Sequence, residues 1–182
     1  NLKKSNAGKY LSLGNISLNY KSISNALEKV GKKLKQNDQI IVQDFIDNVD
    51  LSGVIFTRDP NNNSPYYIIN YDRSRKTDLI TSGNINPTLE TKIIYRNKVF
   101  DTKFNKLIKV VKKIEEIFKS DTLDIEFAIK KNKIYIFQCR ELVIKERKNY
   151  DKEIETALKN LEKKIDKLKK PNPFISGKTT YF

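Results

Sequence analysis

Two alternating runs around a polar turn constrain this chain more than any other stretch. Leu123–Arg140 places Leu123, Ile125, Phe127 and Ile129 on one face of a first strand and Asp124, Glu126 and Ala128 on the other. The second run separates Tyr135, Phe137 and Cys139 from Ile134, Ile136, Gln138 and Arg140. Parity then restricts the turn. A two-residue loop at Lys131-Asn132 pairs Glu126 with Phe137 and Ile125 with Gln138, which mixes polar and apolar groups on a face meant for burial. A three-residue loop, Lys131-Asn132-Lys133, pairs Glu126 with Gln138 and Asp124 with Arg140, and Asn132 suits the left-handed backbone it needs. The three-residue loop is therefore predicted. It leaves one wholly apolar face: Leu123, Ile125, Phe127, Ile129, Tyr135, Phe137 and Cys139.

The other face carries chemistry. Glu126 and the Gln138 amide are hard oxygen donors of the kind magnesium takes when substrate phosphates complete its shell. Arg140 presents a planar fork that matches phosphate oxygens. The same three residues also fit a solvated strand face with an ordinary cross-strand ion pair, and both readings stand on the residues alone.

Composition narrows the chemistry further. The 182 residues contain no histidine, which removes His-ligated metals, Ser-His and Cys-His catalysis and any phosphohistidine within the chain. Mg-type chemistry through oxygen ligands survives that exclusion. The one cysteine, Cys139, falls on the apolar hairpin face and allows no disulfide within the chain, which fits the cytoplasm. The 36 Lys+Arg against 22 Asp+Glu give a net charge of +14, which favours anionic partners. The lysines form no single tract interleaved with aromatics, so nucleic acid is not the expected partner. No apolar run reaches the length of a membrane span and no signal peptide is visible, so no membrane is expected. Asn1 reads as an internal start.

Several motifs carry a resemblance. Asp124-Ile125-Glu126-Phe127-Ala128, followed by Ile134 through Arg140, resembles the closing hairpin of the ATP-grasp domain in the phosphoenolpyruvate synthase and pyruvate phosphate dikinase family, which rifampicin phosphotransferase and L-glutamine kinase share. Ser52-Gly53-Val54 through Phe56-Thr57, then Asp59-Pro60, is similar to a second signature of that family. Ser5-Asn6-Ala7-Gly8 is similar to its Ser-x-Ala-Gly segment, where small residues let the backbone approach the nucleotide. The resemblance implies that Glu126 and Gln138 bind magnesium and that Arg140 contacts nucleotide phosphates. It implies nucleotide contacts at Ala7 and Gly8, and adenine contacts from Gln43 and from the backbone near Phe45 and Ile46. For Gln43, a strand-end side chain in solvent is the alternative. Arg58, at a strand end, is placed either on phosphate or in a structural salt bridge. The loop from Asp72 to Asn86 departs from the family: its usual glutamate is missing, and Asp78 lies nearby.

The remaining elements follow from periodicity and caps. Ser22 or Ser24 is expected to cap a helix to about Gln36, with Ile23, Leu27, Val30 and Leu34 as its stripe. Asp38–Ile46 is read as a buried strand. Leu51–Pro60 and Pro65–Tyr71 form a hairpin in which Gly53 permits close backbone packing. Thr91–Phe100 is a strand pair or one long strand. Asp101 is expected to cap a helix to about Lys119 that turns Phe104, Leu107, Ile108, Val111, Ile114 and Phe118 inward. Lys145–Lys170 is a charged helix with Ile154, Leu158, Leu161, Ile165 and Leu168 as a narrow stripe.

The expected fold is α+β and ATP-grasp-like: a largely antiparallel sheet packed with helices, then a charged C-terminal helix. Residues 1–144 are read as a partial ATP-grasp-like nucleotide-binding domain lacking its upstream half, and 145–182 as a linker helix and connector. The resemblance implies an ATP-dependent phosphotransferase that cleaves ATP to AMP and phosphate. It would pass a phosphoryl group through a histidine domain elsewhere in the polypeptide to a small-molecule acceptor, with the isolated fragment inactive. Pro171–Phe182 is similar to the connector of L-glutamine kinases, which points to L-glutamine. The alternatives are a phosphoenolpyruvate synthase-like, pyruvate phosphate dikinase-like or antibiotic phosphotransferase, or a basic module without enzymatic activity.

Overall fold

The structure is a computed structural model that describes residues 11–35, 37–73, 89–97, 103–145 and 148–169. The described elements run α1 (Tyr20–Gly31), β1 (Leu51–Phe56), β2 (Tyr66–Asp72), β3 (Glu90–Tyr95), α2 (Asn105–Phe118), β4 (Leu123–Lys130), β5 (Lys133–Glu141) and α3 (Asp151–Leu168). The strands form one antiparallel sheet in the order β3-β2-β1-β4-β5. The chain is thus α+β, consistent with an ATP-grasp-like fold. No described helix is long and apolar enough to cross a membrane.

One face of the sheet makes the core. Leu51 and Ile55 of β1, Tyr67, Ile69 and Tyr71 of β2, Ile94 of β3 and Leu123, Ile125 and Phe127 of β4 bury against Phe104, Leu107, Ile108 and Val111 at the start and middle of α2. Each such side chain contributes about 1.5–3 kcal/mol by leaving water. A polar bracket pins α2 to the sheet. Glu115 takes both arms of Arg96 at 2.6 and 3.1 Å, and Arg96 lies 4.6 Å over the Tyr67 ring. Tyr67 also donates its hydroxyl to Glu115 at 3.2 Å. Burial pushes the Tyr67 hydroxyl well above its ordinary pKa.

Several expectations shift. α1 is capped by Asn19, whose Oδ1 accepts from the Ser22 N–H at 2.8 Å, and it ends at Gly31, short of Gln36. An Asn side chain one turn ahead outcompetes serines that sit inside the first turn. β3 is a single strand, and the α2 cap position is Phe104, without a side-chain cap bond; Asp101 lies outside the described residues. Phe118 is exposed, because Lys119 takes a left-handed conformation (φ 50°) that ends α2 before the apolar stripe returns inward. α3 begins at Asp151, later than Lys145.

The largest correction is at 38–46. These residues form no strand and lie at the surface, with Ile41 87% and Val42 73% exposed. β1 is flanked on both sides, by β2 and β4, so the sheet interior has no place for another strand. Without a ladder partner among the described residues, a short apolar run has nothing to hold it extended.

Candidate nucleotide-facing hairpin

The β4–β5 hairpin pairs Glu126 with Gln138 and Asp124 with Arg140, as parity required, but by a different route. The turn is the two-residue one. Lys130 pairs with Lys133, and Lys131 and Asn132 both take positive φ, 48° and 66°. Positive φ at both central residues is the turn whose twist matches the strands. The ladder then slips between Glu126 and Phe127: Phe127 faces Ile136, and Phe137 is the extra residue of a β-bulge. The slip corrects two placements. Ile134 and Ile136, rather than Tyr135 and Phe137, pack against the core, and Tyr135 stands opposite Ala128. The signal was present in the sequence: a favoured turn length and a face requirement that disagree by one residue are reconciled by a bulge.

Asp124, Glu126, Gln138 and Arg140 therefore share the face turned away from the core. The pairing extends their rows across the sheet. Glu126 stands opposite Val54, which stands opposite Asn70 and then Thr91. Asp124 stands opposite Phe56, followed by Ile68 and the exposed Ile93. The face thus combines a polar row with an apolar one.

Asp124 is the most buried member, 7% exposed. Its Oδ2 accepts from Arg140 Nε at 2.7 Å and lies 2.7 Å from the second terminal nitrogen. Its Oδ1 is buried without a hydrogen-bond partner among the described residues. A buried carboxylate oxygen left unpaired is costly, so this atom marks a place where a further donor or cation would be favourable. Glu126 is half-buried. Burial pushes its carboxyl above the ordinary glutamate range, Arg140 opposes that shift, and Asp124 adds to it. Burial also raises the Cys139 thiol on the core side, which keeps it protonated.

The other sequence candidates lie apart from this cluster in role. Arg58 is 8% exposed and makes the structural salt bridge: its guanidinium is shared among Asp121, Asp151 and the Asn63 carbonyl. Gln43 and Phe45 are exposed and Ile46 is half-buried, on the irregular 38–46 segment. Ala7 and Gly8, the loop around Asp78, and Pro171–Phe182 lie outside the described residues.

Residues 70–161 match the model of the pyruvate phosphate dikinase AMP/ATP-binding domain family, and that span holds the whole hairpin. The chain belongs to this family. A pyruvate, phosphate dikinase from Rickettsia typhi is 29% identical over 123 residues, covering 66% of this chain and 14% of the relative. The chain thus spans about 14% of the length of the pyruvate, phosphate dikinase it matches. Within the matched span of this AMP/ATP-binding domain, Asp124, Glu126, Gln138 and Arg140 are the acid, amide and guanidinium groups that the fold assembles on one strand face.

Proposed function

We propose that the polar face of the β4–β5 hairpin holds the phosphates of ATP with magnesium, as the nucleotide-binding part of a larger phosphotransferase. The observation that carries this is the pairing of Glu126 with Gln138 beside Asp124 with Arg140 on the face away from the core. Glu126 and the Gln138 amide oxygen would hold magnesium. Among the described residues no three acidic or thiol side chains gather into a metal cluster, so the remaining oxygens would come from the nucleotide and water, as magnesium prefers. Magnesium in that position supplies neutralisation of phosphate charge.

The chain's own groups position the triphosphate. Asp124 holds Arg140 through Nε and one terminal nitrogen, which orients the fork and leaves the other terminal nitrogen for a phosphate oxygen. Preorganised charge of this kind is the main contribution a protein makes to phosphoryl transfer. We assign adenine contacts to Gln43 and the backbone at Phe45 and Ile46, and close nucleotide approach to Ala7 and Gly8. Arg58 is left out of the phosphate site because its donors are already engaged.

The whole protein would cleave ATP to AMP and phosphate and pass a phosphoryl group through a histidine outside this chain to a small-molecule acceptor. The absence of histidine here supports that division of labour. L-glutamine is the acceptor favoured by the sequence of Pro171–Phe182. We take 1–144 as the nucleotide-binding domain, 145–182 as linker and connector, and the cytoplasm as the location. The test is AMP release by the full-length protein carrying Glu126→Gln or Arg140→Lys. Wild-type rates in folded variants would refute the site.

A further inference from the structure

Arg58 lies two residues past the end of β1, and each of its five N–H donors has an acceptor. Nε and one terminal nitrogen meet Asp121 Oδ2 at 2.8 and 2.7 Å. The other terminal nitrogen donates to the Asn63 carbonyl at 3.0 Å and to Asp151 Oδ1 at 2.8 Å, and the fork closes on Asp151 Oδ2 at 2.9 Å. Asp121 precedes β4, and Asp151 is the first residue of α3. Around this fork the 60–63 turn grips the segment that leads into α3. The Lys145 N–H donates to the Pro60 carbonyl at 3.0 Å, Lys145 Nζ reaches Asn61 Oδ1 at 3.0 Å, and Asn63 Nδ2 donates to the Lys148 carbonyl at 3.2 Å.

Apolar packing along α3 itself is thin, the buried Leu142 and Ile144 lying before it. No residue of α3 is buried; Ile154 and Leu158 are half-buried, and Leu161, Ile165 and Leu168 are exposed. A helix with so narrow an apolar contact would ordinarily swing about its first turn. A planar bidentate pair restricts both distance and orientation, which a single point charge does not. The Asp151 carboxylate also sits where the α3 dipole favours negative charge. Arg58 holds that carboxyl below the usual aspartate range.

We propose that Arg58 is an ionic clamp that fixes the direction in which α3 leaves the sheet, making α3 an arm that can be released without unfolding the domain. The proposal is independent of what the hairpin face binds. It separates two ways of holding a helix. An arm held by its apolar stripe loosens when that stripe is trimmed. An arm held by the clamp loosens when the fork loses its partner.

Hydrogen–deuterium exchange by mass spectrometry on the intact protein distinguishes them, using Asp151→Asn and the double variant Ile154→Ala/Leu158→Ala. Asp151→Asn keeps shape and removes the charge. It is expected to speed exchange at residues 151–160 at least tenfold while Leu123–Glu141 stays at the wild-type rate. The double alanine variant is expected to speed exchange in α3 by less. Unchanged exchange of α3 in Asp151→Asn would overturn the proposal. So would equal acceleration of the hairpin, or a larger release of α3 by the double alanine variant.

Discussion

Glu126 and Gln138 face each other across β4 and β5 because the ladder slips by one residue between Glu126 and Phe127. Without the slip, the two-residue turn would set Glu126 opposite Phe137 and turn the Gln138 amide toward the core face. The bulge therefore decides whether the hairpin offers two oxygen donors side by side or separates them. Bulges recur beside functional sites for this reason: one extra residue re-aims a side chain without altering the turn.

If this pair and Arg140 act on a triphosphate, charge and fork geometry should matter more than shape. Glu126→Gln and Arg140→Lys in the full-length protein should each lower ATP cleavage about 10²–10³-fold. Both variants should still melt cooperatively as folded proteins, since neither residue belongs to the core. AMP release, measured beside those melts, checks both halves.

The raised carboxyl of Glu126 gives a stability forecast of definite sign. A carboxyl whose pKa is higher folded than unfolded binds its proton more tightly in the native state, so its contribution is favourable at acidic pH. That contribution is lost as pH rises from the ordinary glutamate range through the raised value. Glu126→Gln has no such proton to lose. Its melting temperature relative to wild type should rise across that window and level off at neutral pH. A difference that falls with increasing pH would show that Arg140 outweighs burial at this site.

The turn has an identifiable local cost. Lys131 holds a positive φ with a side chain poorly suited to it, and Asn132 follows with another. Replacing the pair by Asn-Gly (Lys131→Asn with Asn132→Gly) should stabilise the protein by about 1 kcal/mol. The Lys131 N–H that donates to Asp50 Oδ2 at 2.7 Å is a backbone group and survives the change. Urea denaturation should show a higher midpoint with an unchanged slope.

Gly53 sits where no side chain fits. A Cβ there would collide with the Asn70 carbonyl oxygen of β2 and reach the Phe127 ring at 3.0 Å. The first obstacle is backbone within the sheet and cannot step aside. Gly53→Ala should cost about 1–3 kcal/mol, read as a drop in the denaturation midpoint.

The 182-residue chain by itself should bind Mg-ATP weakly and transfer no phosphoryl group to glutamine or pyruvate. It spans about 14% of the relative it matches and contains no histidine to carry phosphate. Calorimetric titration with Mg-ATP and an AMP-release assay check the two parts. Turnover by this chain alone would remove the need for a carrier elsewhere.

Much of the fold was legible from local pattern. The period-2 alternation of β4 dictated which of its residues share a face, and the requirement for one apolar face selected the Glu126–Gln138 pairing, although the bulge exchanged Tyr135 and Phe137 for Ile134 and Ile136 on the core side. The β1–β2 hairpin, its Asp59-Pro60 ending and the inward stripe of Leu107, Ile108 and Val111 were equally plain, because each depends on residues close in sequence. Tertiary structure decided the rest. The Glu126–Gln138 pairing came from a two-residue turn and a bulge rather than from the predicted three-residue loop. Whether Arg58 met phosphate or carboxylate depended on Asp121 and Asp151, which lie 63 and 93 residues away. Residues 38–46 carry the short apolar run of a buried strand, yet a strand exists only with a partner, and no local pattern contains one. Periodicity records which side chains seek burial; it does not record which distant groups arrive to meet them.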